Sequence, residues 1–250
     1  MTSSPPLAIV VLAAGKGTRM HSELAKVLHP LAGQPLLIHV LDVALSLTPQ
    51  HVVVIVGHQA EMVRQVCAPY AVTCVLQEPQ LGTGHAVAQA EPALADFQGD
   101  VLVLYGDVPL LQSSTLRTLL DVHRRQQATV TVVTAHLDTP AGYGRIVRDV
   151  AGQITRIVEE RDASEAEKAV REINSGVYCL QSSFLFAALP RVGRHNAQGE
   201  QYLTDVVALA VAEQQRVAHI TVVEAQEVLG VNTHADLAYL ETLLQQRQQG

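Results

Sequence analysis

The residues best suited to chemistry stand in a glycine-rich loop near the start of the chain, LAAGKGTRM at residues 12–20. A short apolar run leads into it, and the chain then passes Gly15 and Gly17 with the cations Lys16 and Arg19 beside them. Glycines let backbone N–H groups approach phosphate oxygens closely, and the cations supply countercharge. The loop therefore predicts a site for a phosphorylated ligand.

Two familiar phosphate-binding motifs do not fit this loop. The dinucleotide fingerprint requires a glycine where Met20 stands, and the P-loop requires Ser or Thr after its lysine, whereas Lys16 is followed by Gly17. Lys26, six residues past Met20, adds a third cation to the region. The loop alone leaves open a plain strand and turn with solvated cations.

Two oxygen-bearing side chains are candidate metal ligands. Asp107 follows an apolar run in YGDVPLL, and ligands of α/β proteins sit at the carboxyl ends of such strands. A carboxylate there suits Mg²⁺, although an aspartate that starts a turn fits the local sequence too. Asn232 in LGVNTH is either a second metal ligand or the N-cap of a following helix.

A second glycine-rich segment, LGTGHA at residues 81–86, is predicted to form a turn and follows an apolar run that ends at Gln77. The carboxamide of Gln77 presents a donor and an acceptor side by side, which matches the N3–H and O4 edge of uracil. A flipped amide would suit cytosine instead, so this residue alone does not choose between the pyrimidines. A surface polar residue is the remaining alternative.

The elements that position these residues are short apolar strands alternating with amphipathic helices, which predicts βα units and a mostly parallel sheet. Continuous Val, Ile and Leu runs suit strands that are covered on both faces. Strands are predicted at residues 7–14, 51–57, 72–77, 100–107 and 128–137, and helices at 35–45, 59–68 and 114–125.

After about residue 128 the pattern changes. GRIVRD and QITRIVEE alternate apolar with charged residues, which predicts half-exposed antiparallel strands. Further strands are predicted at 174–180 and 219–224, with a helix at 202–214. A last helix should begin after Asn232, where Thr233 and Asp236 have capping-box spacing, and run toward Gln249. Because no linker separates the halves, we expect one α/β domain.

Composition excludes several classes of function. Seventeen Lys and Arg against 24 Asp and Glu give a net charge of −7, which argues against nucleic-acid or anionic-membrane partners. No apolar run reaches the roughly 20 residues of a membrane span, and no basic residue precedes Lys16 as in a signal peptide. Three cysteines without CxxC spacing are expected to be free thiols of a cytoplasmic protein, and the eleven histidines show no metal-ligand spacing.

Taken together, motifs along nearly the whole chain resemble the uridylyltransferase domain of bacterial N-acetylglucosamine-1-phosphate uridylyltransferases. The motifs are LAAGKGTRM, KVLHPLAG, QLGTGHA, LYGDVPL, GYGRI, IVEE, EINSGVY, GEQYLTD and GVN. The resemblance implies a single-domain, Rossmann-like nucleotidyltransferase fold with a mostly parallel mixed sheet. It divides the domain, residues 1–232, into a nucleotide-binding half at about 1–127 and a sugar-binding half at about 128–232, followed by a C-terminal helix at 233–250.

The implied reaction is Mg²⁺-dependent uridylyl transfer from UTP to N-acetylglucosamine 1-phosphate. The products would be pyrophosphate and UDP-N-acetylglucosamine, a precursor of peptidoglycan and lipopolysaccharide. The resemblance implies that Arg19, Lys26 and Asp107 are catalytic and that Asp107 and Asn232 bind Mg²⁺. It further implies nucleotide contacts from Leu12, Ala13, Ala14, Gly15, Gln77, Gly82 and Thr83, and sugar contacts from Gly144, Glu159 and Asn174. Tyr105 and Gly106 would approach both the nucleotide and the sugar.

Two departures from the family pattern qualify this expectation. Ala25 stands where the family commonly has proline before the motif lysine, and the β-helix acetyltransferase domain of the bifunctional members is not expected here. We therefore expect no acetyl transfer, and a monomer or weak dimer. Alternative functions are nucleotidyl transfer to another sugar or alditol phosphate, from UTP or CTP, and an inactive module that binds UDP-sugars.

Overall fold

A computed structural model describes residues 5–249, and of residues 247–249 the backbone alone. The strands are β1 (Leu7–Ala13), β2 (Pro30–Leu31), β3 (Gln34–Pro35), β4 (His51–Val56), β5 (Thr73–Leu76), β6 (Asp100–Tyr105), β7 (Val130–His136), β8 (Arg145–Arg148), β9 (Ile154–Val158), β10 (Glu172–Gln181) and β11 (Val217–Thr221). The helices are α1 (Leu36–Leu45), α2 (Ala60–Cys67), α3 (Thr83–Ala88), α4 (Ser113–Arg125), α5 (Glu165–Lys168), α6 (Ser182–Ala188), α7 (Asp205–Ala212) and α8 (His234–Gln249).

One large sheet organises the molecule, with strand order β11-β7-β10-β6-β1-β4-β5 and the antiparallel pair β8–β9 attached to β10. Neighbours β6, β1, β4 and β5 are parallel, as are β7 and β11. Strand β10 is antiparallel to both β6 and β7, so β10 alone opposes the common direction of this path. The expectation of a mostly parallel mixed sheet in a single domain is confirmed, because β10 joins the two halves of the chain.

The central strands are continuous apolar runs because both of their faces are covered. Odd-numbered residues of β1, such as Ile9 and Val11, belong to a buried cluster that includes residues of α1, α2 and α4. Even-numbered residues, such as Val10 and Leu12, belong to a second cluster with residues of α3, α6 and α7. Successive side chains of a strand point to opposite faces, so the sheet is the middle of three layers.

The first five predicted strands are confirmed, with ends that shift by at most two residues. The predicted half-exposed antiparallel strands are β8 and β9, and the predicted apolar face of α4 is buried at Leu116, Leu119, Leu120 and His123. The strand predicted at 219–224 is confirmed with wrong bounds, since β11 pairs with β7 from Val217 to Thr221 and Val223 is fully exposed.

The glycine-rich segment at residues 81–86, interpreted from sequence as a turn, is the start of helix α3. The chain is positioned there by a distant segment: the Gly84 N–H donates to the Gln201 carbonyl at 2.8 Å, and the Leu203 N–H donates to the Thr83 hydroxyl at 2.9 Å. Local glycine content favours a turn, and these tertiary bonds override it. Helices α5 and α6 and the β2–β3 hairpin were also not predicted.

The C-terminal helix α8 begins with the predicted capping box. The Asp236 N–H donates to the Thr233 hydroxyl at 3.1 Å, and the Thr233 N–H donates to the Asp236 carboxylate at 2.8 Å. Thr233 is therefore the N-cap, and the alternative of Asn232 as N-cap is wrong. Leu240 and Leu243 pack back on the domain, in a cluster with Met20 and Leu31.

Among residues 5–249, no helix combines the length and apolar character needed to cross a bilayer.

Candidate active site

Two adjacent cavities open at the carboxyl ends of β1, β5 and β6, and Lys26, Tyr105 and Asp107 line both of them. The first cavity, of about 360 Å³, is also lined by Leu12, Ala13, Ala14, Gly15, Gln77, Gly82 and Thr83. The second, of about 250 Å³, is also lined by Arg19, Gly144, Glu159, Asn174 and Asn232. The structure thus brings together every predicted site residue but Gly106.

Gly106 lies behind the cavity wall. Its N–H donates to the Leu12 carbonyl at 2.9 Å, and a Cβ atom at this position would lie 3.1 Å from that oxygen and 3.2 Å from side-chain atoms of Leu37 and Val27. The glycine permits close packing beside β1, and it does not line either cavity.

The glycine-rich loop after β1 turns at Gly17, whose φ of 67° is left-handed. A Cβ atom on Gly17 would lie 2.6 Å from the Cβ of Lys26, so the absence of a side chain lets Lys26 lie against the loop. Met20, where a dinucleotide motif has glycine, is fully buried beside α8. Met20 therefore anchors the loop to the core, and the side chain of Lys26 packs against the loop at Gly17.

A stability measurement tests this close approach. We expect Gly17→Ala to destabilise the protein by about 1–3 kcal/mol more than Gly152→Ala, because it adds steric overlap to the strain of a left-handed residue. Gly152 is the matched control, with a φ of 79° and nothing within 4 Å of the added Cβ. Urea denaturation of both variants gives the comparison, and equal losses would show that Lys26 moves aside without cost.

Four side chains form a charged cluster between the cavities. The Lys26 ammonium makes an ion pair with the Asp107 carboxylate and donates to the Asn232 Oδ1 at 3.3 Å. The Arg19 guanidinium donates to the same Oδ1 at 2.8 Å. The Val231 N–H donates to the Asp107 carbonyl at 2.9 Å, and this backbone bond holds the segment of Asn232 beside Asp107.

This donor set fits a hard divalent cation. A carboxylate and a carboxamide oxygen, from segments far apart in sequence, both approach one cation, the Lys26 Nζ. Magnesium sites commonly use one or two such protein oxygens together with phosphate oxygens of the substrate. Asp107 and Asn232 are thus suited to hold a metal, in competition with the ammonium of Lys26.

The amide of Gln77 has a fixed orientation, which the sequence interpretation did not foresee. The side chain is 4% exposed, so the alternative of a surface residue is wrong. Its Nε2 lies 3.0 Å from the carbonyl of Gly82 and 3.1 Å from the Nδ1 of His85. Since a carbonyl oxygen can only accept, the amide nitrogen must face Gly82, and the amide is not free to flip.

Beyond the charged cluster, the second cavity offers hydrogen-bonding groups from Gly144, Glu159 and Asn174. The Asn174 N–H donates to the Gly144 carbonyl at 2.9 Å, and the Thr204 hydroxyl donates to Glu159 at 3.1 Å. Burial raises the pKa of the Glu159 carboxyl. Burial also raises the pKa of Tyr105 and keeps its hydroxyl protonated at neutral pH. These hydrogen-bonding groups suit a hydroxylated ligand.

Several lining residues were not found from the sequence, among them Gln80, Tyr143, Ser175 and Glu200. Gln80 donates to the Ala14 carbonyl at 2.6 Å and so connects the segment after β5 to the glycine-rich loop. Tyr143 and Glu200 lie in the motifs GYGRI and GEQYLTD, which were the available signal for them.

The cysteines are free, with Cys67 and Cys179 buried. Cys179 approaches Asp100 and His123 in a buried group whose ligand atoms lie within 4.8 Å of one another. These residues are distant in sequence, which is why ligand spacing gave no signal. Asp100 is already paired with Arg124 at 2.7 Å, and the group lies at the start of β6, away from the cavities.

Comparisons with known proteins identify the family of this chain. The family model described as MobA-like NTP transferase domain matches residues 9–177. The curated "Bifunctional protein GlmU" of Desulfotalea psychrophila is 49% identical over 247 residues, which is 99% of this chain and 73% of that protein. GlmU of Pelobacter propionicus is 50% identical over 96% of this chain, and GlmU of Brevibacillus brevis is 51% identical over 95%. The chain spans 53% and 51% of the length of these two relatives.

A solved structure shows the same fold. The crystal structure of UDP-glucose pyrophosphorylase complexed with UDP-glucose superposes with a TM-score of 0.75 and covers 97% of this chain and 99% of its own. Its sequence identity is 15%, so the likeness concerns the architecture. The expected nucleotidyltransferase fold is confirmed.

Proposed function

The chain belongs to the MobA-like NTP transferase family and, within it, to the GlmU proteins, and on this premise we propose that it transfers a uridylyl group from UTP to N-acetylglucosamine 1-phosphate. The products are UDP-N-acetylglucosamine and pyrophosphate, and the first of these supplies cell-wall synthesis. The observation that carries the proposal is the cluster of Arg19, Lys26, Asp107 and Asn232 at the junction of the two cavities.

The two cavities divide the substrates between them. The first has the buried amide of Gln77 for a base and the glycine-rich loop with Lys26 for phosphates. The second has Gly144, Glu159 and Asn174 for the sugar hydroxyls and the acetamido group. This arrangement supports a nucleotide-binding half at about 1–127 and a sugar-binding half at about 128–232.

The metal assigned to Asp107 and Asn232 is Mg²⁺, because both ligands are hard oxygens. When bound there, Mg²⁺ would neutralise phosphate charge and orient the phosphates of the two substrates. Arg19 lies on the side of the second cavity, where its guanidinium suits a bidentate contact with the sugar phosphate.

The chemistry asks for positioning and charge stabilisation from the protein. A phosphate oxygen of the sugar phosphate attacks the α-phosphorus of UTP, and pyrophosphate leaves. A phosphate monoester with a second pKa of about 6 is mostly ionised at pH 7, so the step needs no general base. Lys26 and Arg19 hold two anions against each other and stabilise the charge that accumulates in the transition state.

The direct test is a pyrophosphate-release assay with UTP, N-acetylglucosamine 1-phosphate and Mg²⁺. We expect turnover that requires all three. A parallel panel of other sugar and alditol phosphates tests the alternative acceptor, which is favoured if one of them exceeds N-acetylglucosamine 1-phosphate in kcat/KM. Binding of UDP-sugars without turnover of any pair would instead identify an inactive regulatory module.

Nucleotide selectivity gives a quantitative prediction. We expect UTP to be preferred over CTP by about 10²-fold in kcat/KM, the scale reached when a wrong ligand leaves buried polar groups unpaired. Purine nucleotides should be poorer still, because the cavity must also accommodate the phosphates. Steady-state kinetics with each nucleotide measure the ratio, and equal use of UTP and CTP would contradict the uridylyl assignment.

A further inference from the structure

The nitrogen of the Gln77 amide has two acceptors within the protein. One N–H points to the Gly82 carbonyl at 3.0 Å, and the other points to the His85 Nδ1 at 3.1 Å. A primary amide has two N–H donors, so both are engaged. The group that Gln77 retains for a ligand in the first cavity is its carbonyl oxygen, Oε1.

An oxygen in this place distinguishes the two pyrimidines. Uracil has a donor at N3–H, which the Gln77 Oε1 can accept. Cytosine has an unprotonated N3, so its lone pair would face the Gln77 oxygen, and a hydrogen bond would be replaced by repulsion. Had the amide turned the other way, its N–H would suit cytosine N3, so the orientation of this one group changes which base is favoured.

We propose that His85 is a positioning residue for pyrimidine selection, holding the Gln77 amide with its oxygen toward the base. The inference rests on the proposed function, in which Gln77 contacts the base of the nucleotide. Gly82 supplies one acceptor from the backbone, and His85 supplies the second from the first full turn of α3.

The surroundings of His85 suit this role. Burial lowers the pKa of His85, with a contribution from Arg194, and so favours the neutral ring that an accepting Nδ1 requires. The proton must then sit on Nε2, which lies 3.2 Å from the side-chain amide of Gln89. The Gln89 Nε2 also donates to the His85 backbone carbonyl at 3.2 Å, so Gln89 directs its N–H to that carbonyl and supplies no acceptor to the ring.

The test compares two variants of the full chain. His85→Phe keeps a ring but removes the acceptor, and His85→Asn places its Oδ1 where the histidine has Nδ1. For each, kcat/KM is measured with UTP and CTP, and nucleotide Kd values are measured by calorimetry. We expect the UTP-to-CTP ratio to fall about tenfold in His85→Phe, the scale of one lost hydrogen bond, and to stay near that of the wild type in His85→Asn.

A purely structural role for His85 would lower activity with both nucleotides and leave their ratio unchanged. An unchanged ratio in His85→Phe, or an equal fall in His85→Asn, would overturn the proposal. Should His85→Phe fail to fold by circular dichroism, His85→Ala replaces it under the same criteria.

A spectroscopic measurement on the wild type is independent of turnover. The ¹⁵N chemical shifts of the His85 ring should show the Nε2–H tautomer at neutral pH, and an Nδ1–H tautomer would overturn the proposal. Failure of the proposed function has a different signature: no pyrophosphate release from UTP, or UTP binding that is unchanged in Gln77→Ala. In that case the His85 tautomer would still be Nε2–H, whereas failure of the inference alone leaves both turnover and the effect of Gln77→Ala intact.

Discussion

Replacing Asp107 by asparagine is expected to lower turnover by about 10³-fold while the fold stays intact. The substitution keeps the shape of the side chain and an oxygen that can accept from Lys26. It removes the negative charge that a hard divalent cation requires from this ligand. Because the Asp107 side chain is 10% exposed, solvent compensates little for the lost charge.

The measurement is pyrophosphate release at increasing Mg²⁺ concentration, with circular dichroism as the check on folding. In Asp107→Asn the Mg²⁺ concentration for half-maximal rate should rise along with the loss of kcat. Asp138→Asn is the matched control, since that carboxylate is 96% exposed and pairs with Arg171 away from both cavities. Near-normal turnover of Asp107→Asn would contradict the assignment of Asp107 as a metal ligand.

The parts of the fold that could be predicted are those fixed by local pattern. A continuous apolar run such as β1 predicts a strand that is covered on both faces. The loop that follows such a strand lies at the carboxyl edge of the sheet. Asp107 at the end of β6 reaches the same edge for the same reason, because β1 and β6 are parallel neighbours. The glycine-rich loop, Lys26 and Asp107 could therefore be placed together from the sequence.

What could not be predicted depends on contacts between distant segments. Strand β10 lies antiparallel between β6 and β7, and its own sequence does not predict which strands it pairs with. Helix α3 forms in a glycine-rich segment because Gln201 and Leu203 supply its hydrogen-bond partners. The orientation of the Gln77 amide follows from that helix, since both of its acceptors, at Gly82 and His85, stand at the helix start.

The position of the Lys26 ammonium leads to the second large effect. Lys26→Met keeps the length and most of the volume of the side chain and removes its charge. We expect kcat/KM to fall by about 10³-fold, because the proposed transition state loses the positive charge of a cation that lines both cavities. Lys168→Met is the control, since Lys168 pairs with Glu165 on the exposed helix α5.

The dependence on Mg²⁺ should change in the opposite direction. In the wild type the ammonium contacts both Asp107 and Asn232, so a divalent cation must displace it from the two oxygens that would bind the metal. Without that competitor, the Mg²⁺ concentration for half-maximal rate should fall in Lys26→Met, whereas it rises in Asp107→Asn. Both variants lose activity, but the Mg²⁺ concentration for half-maximal rate moves in opposite directions. This difference distinguishes Asp107, which binds the metal in this proposal, from Lys26, which stabilises charge. If the Mg²⁺ concentration for half-maximal rate changes in neither variant, or rises in both, Lys26 and the metal do not share these oxygens.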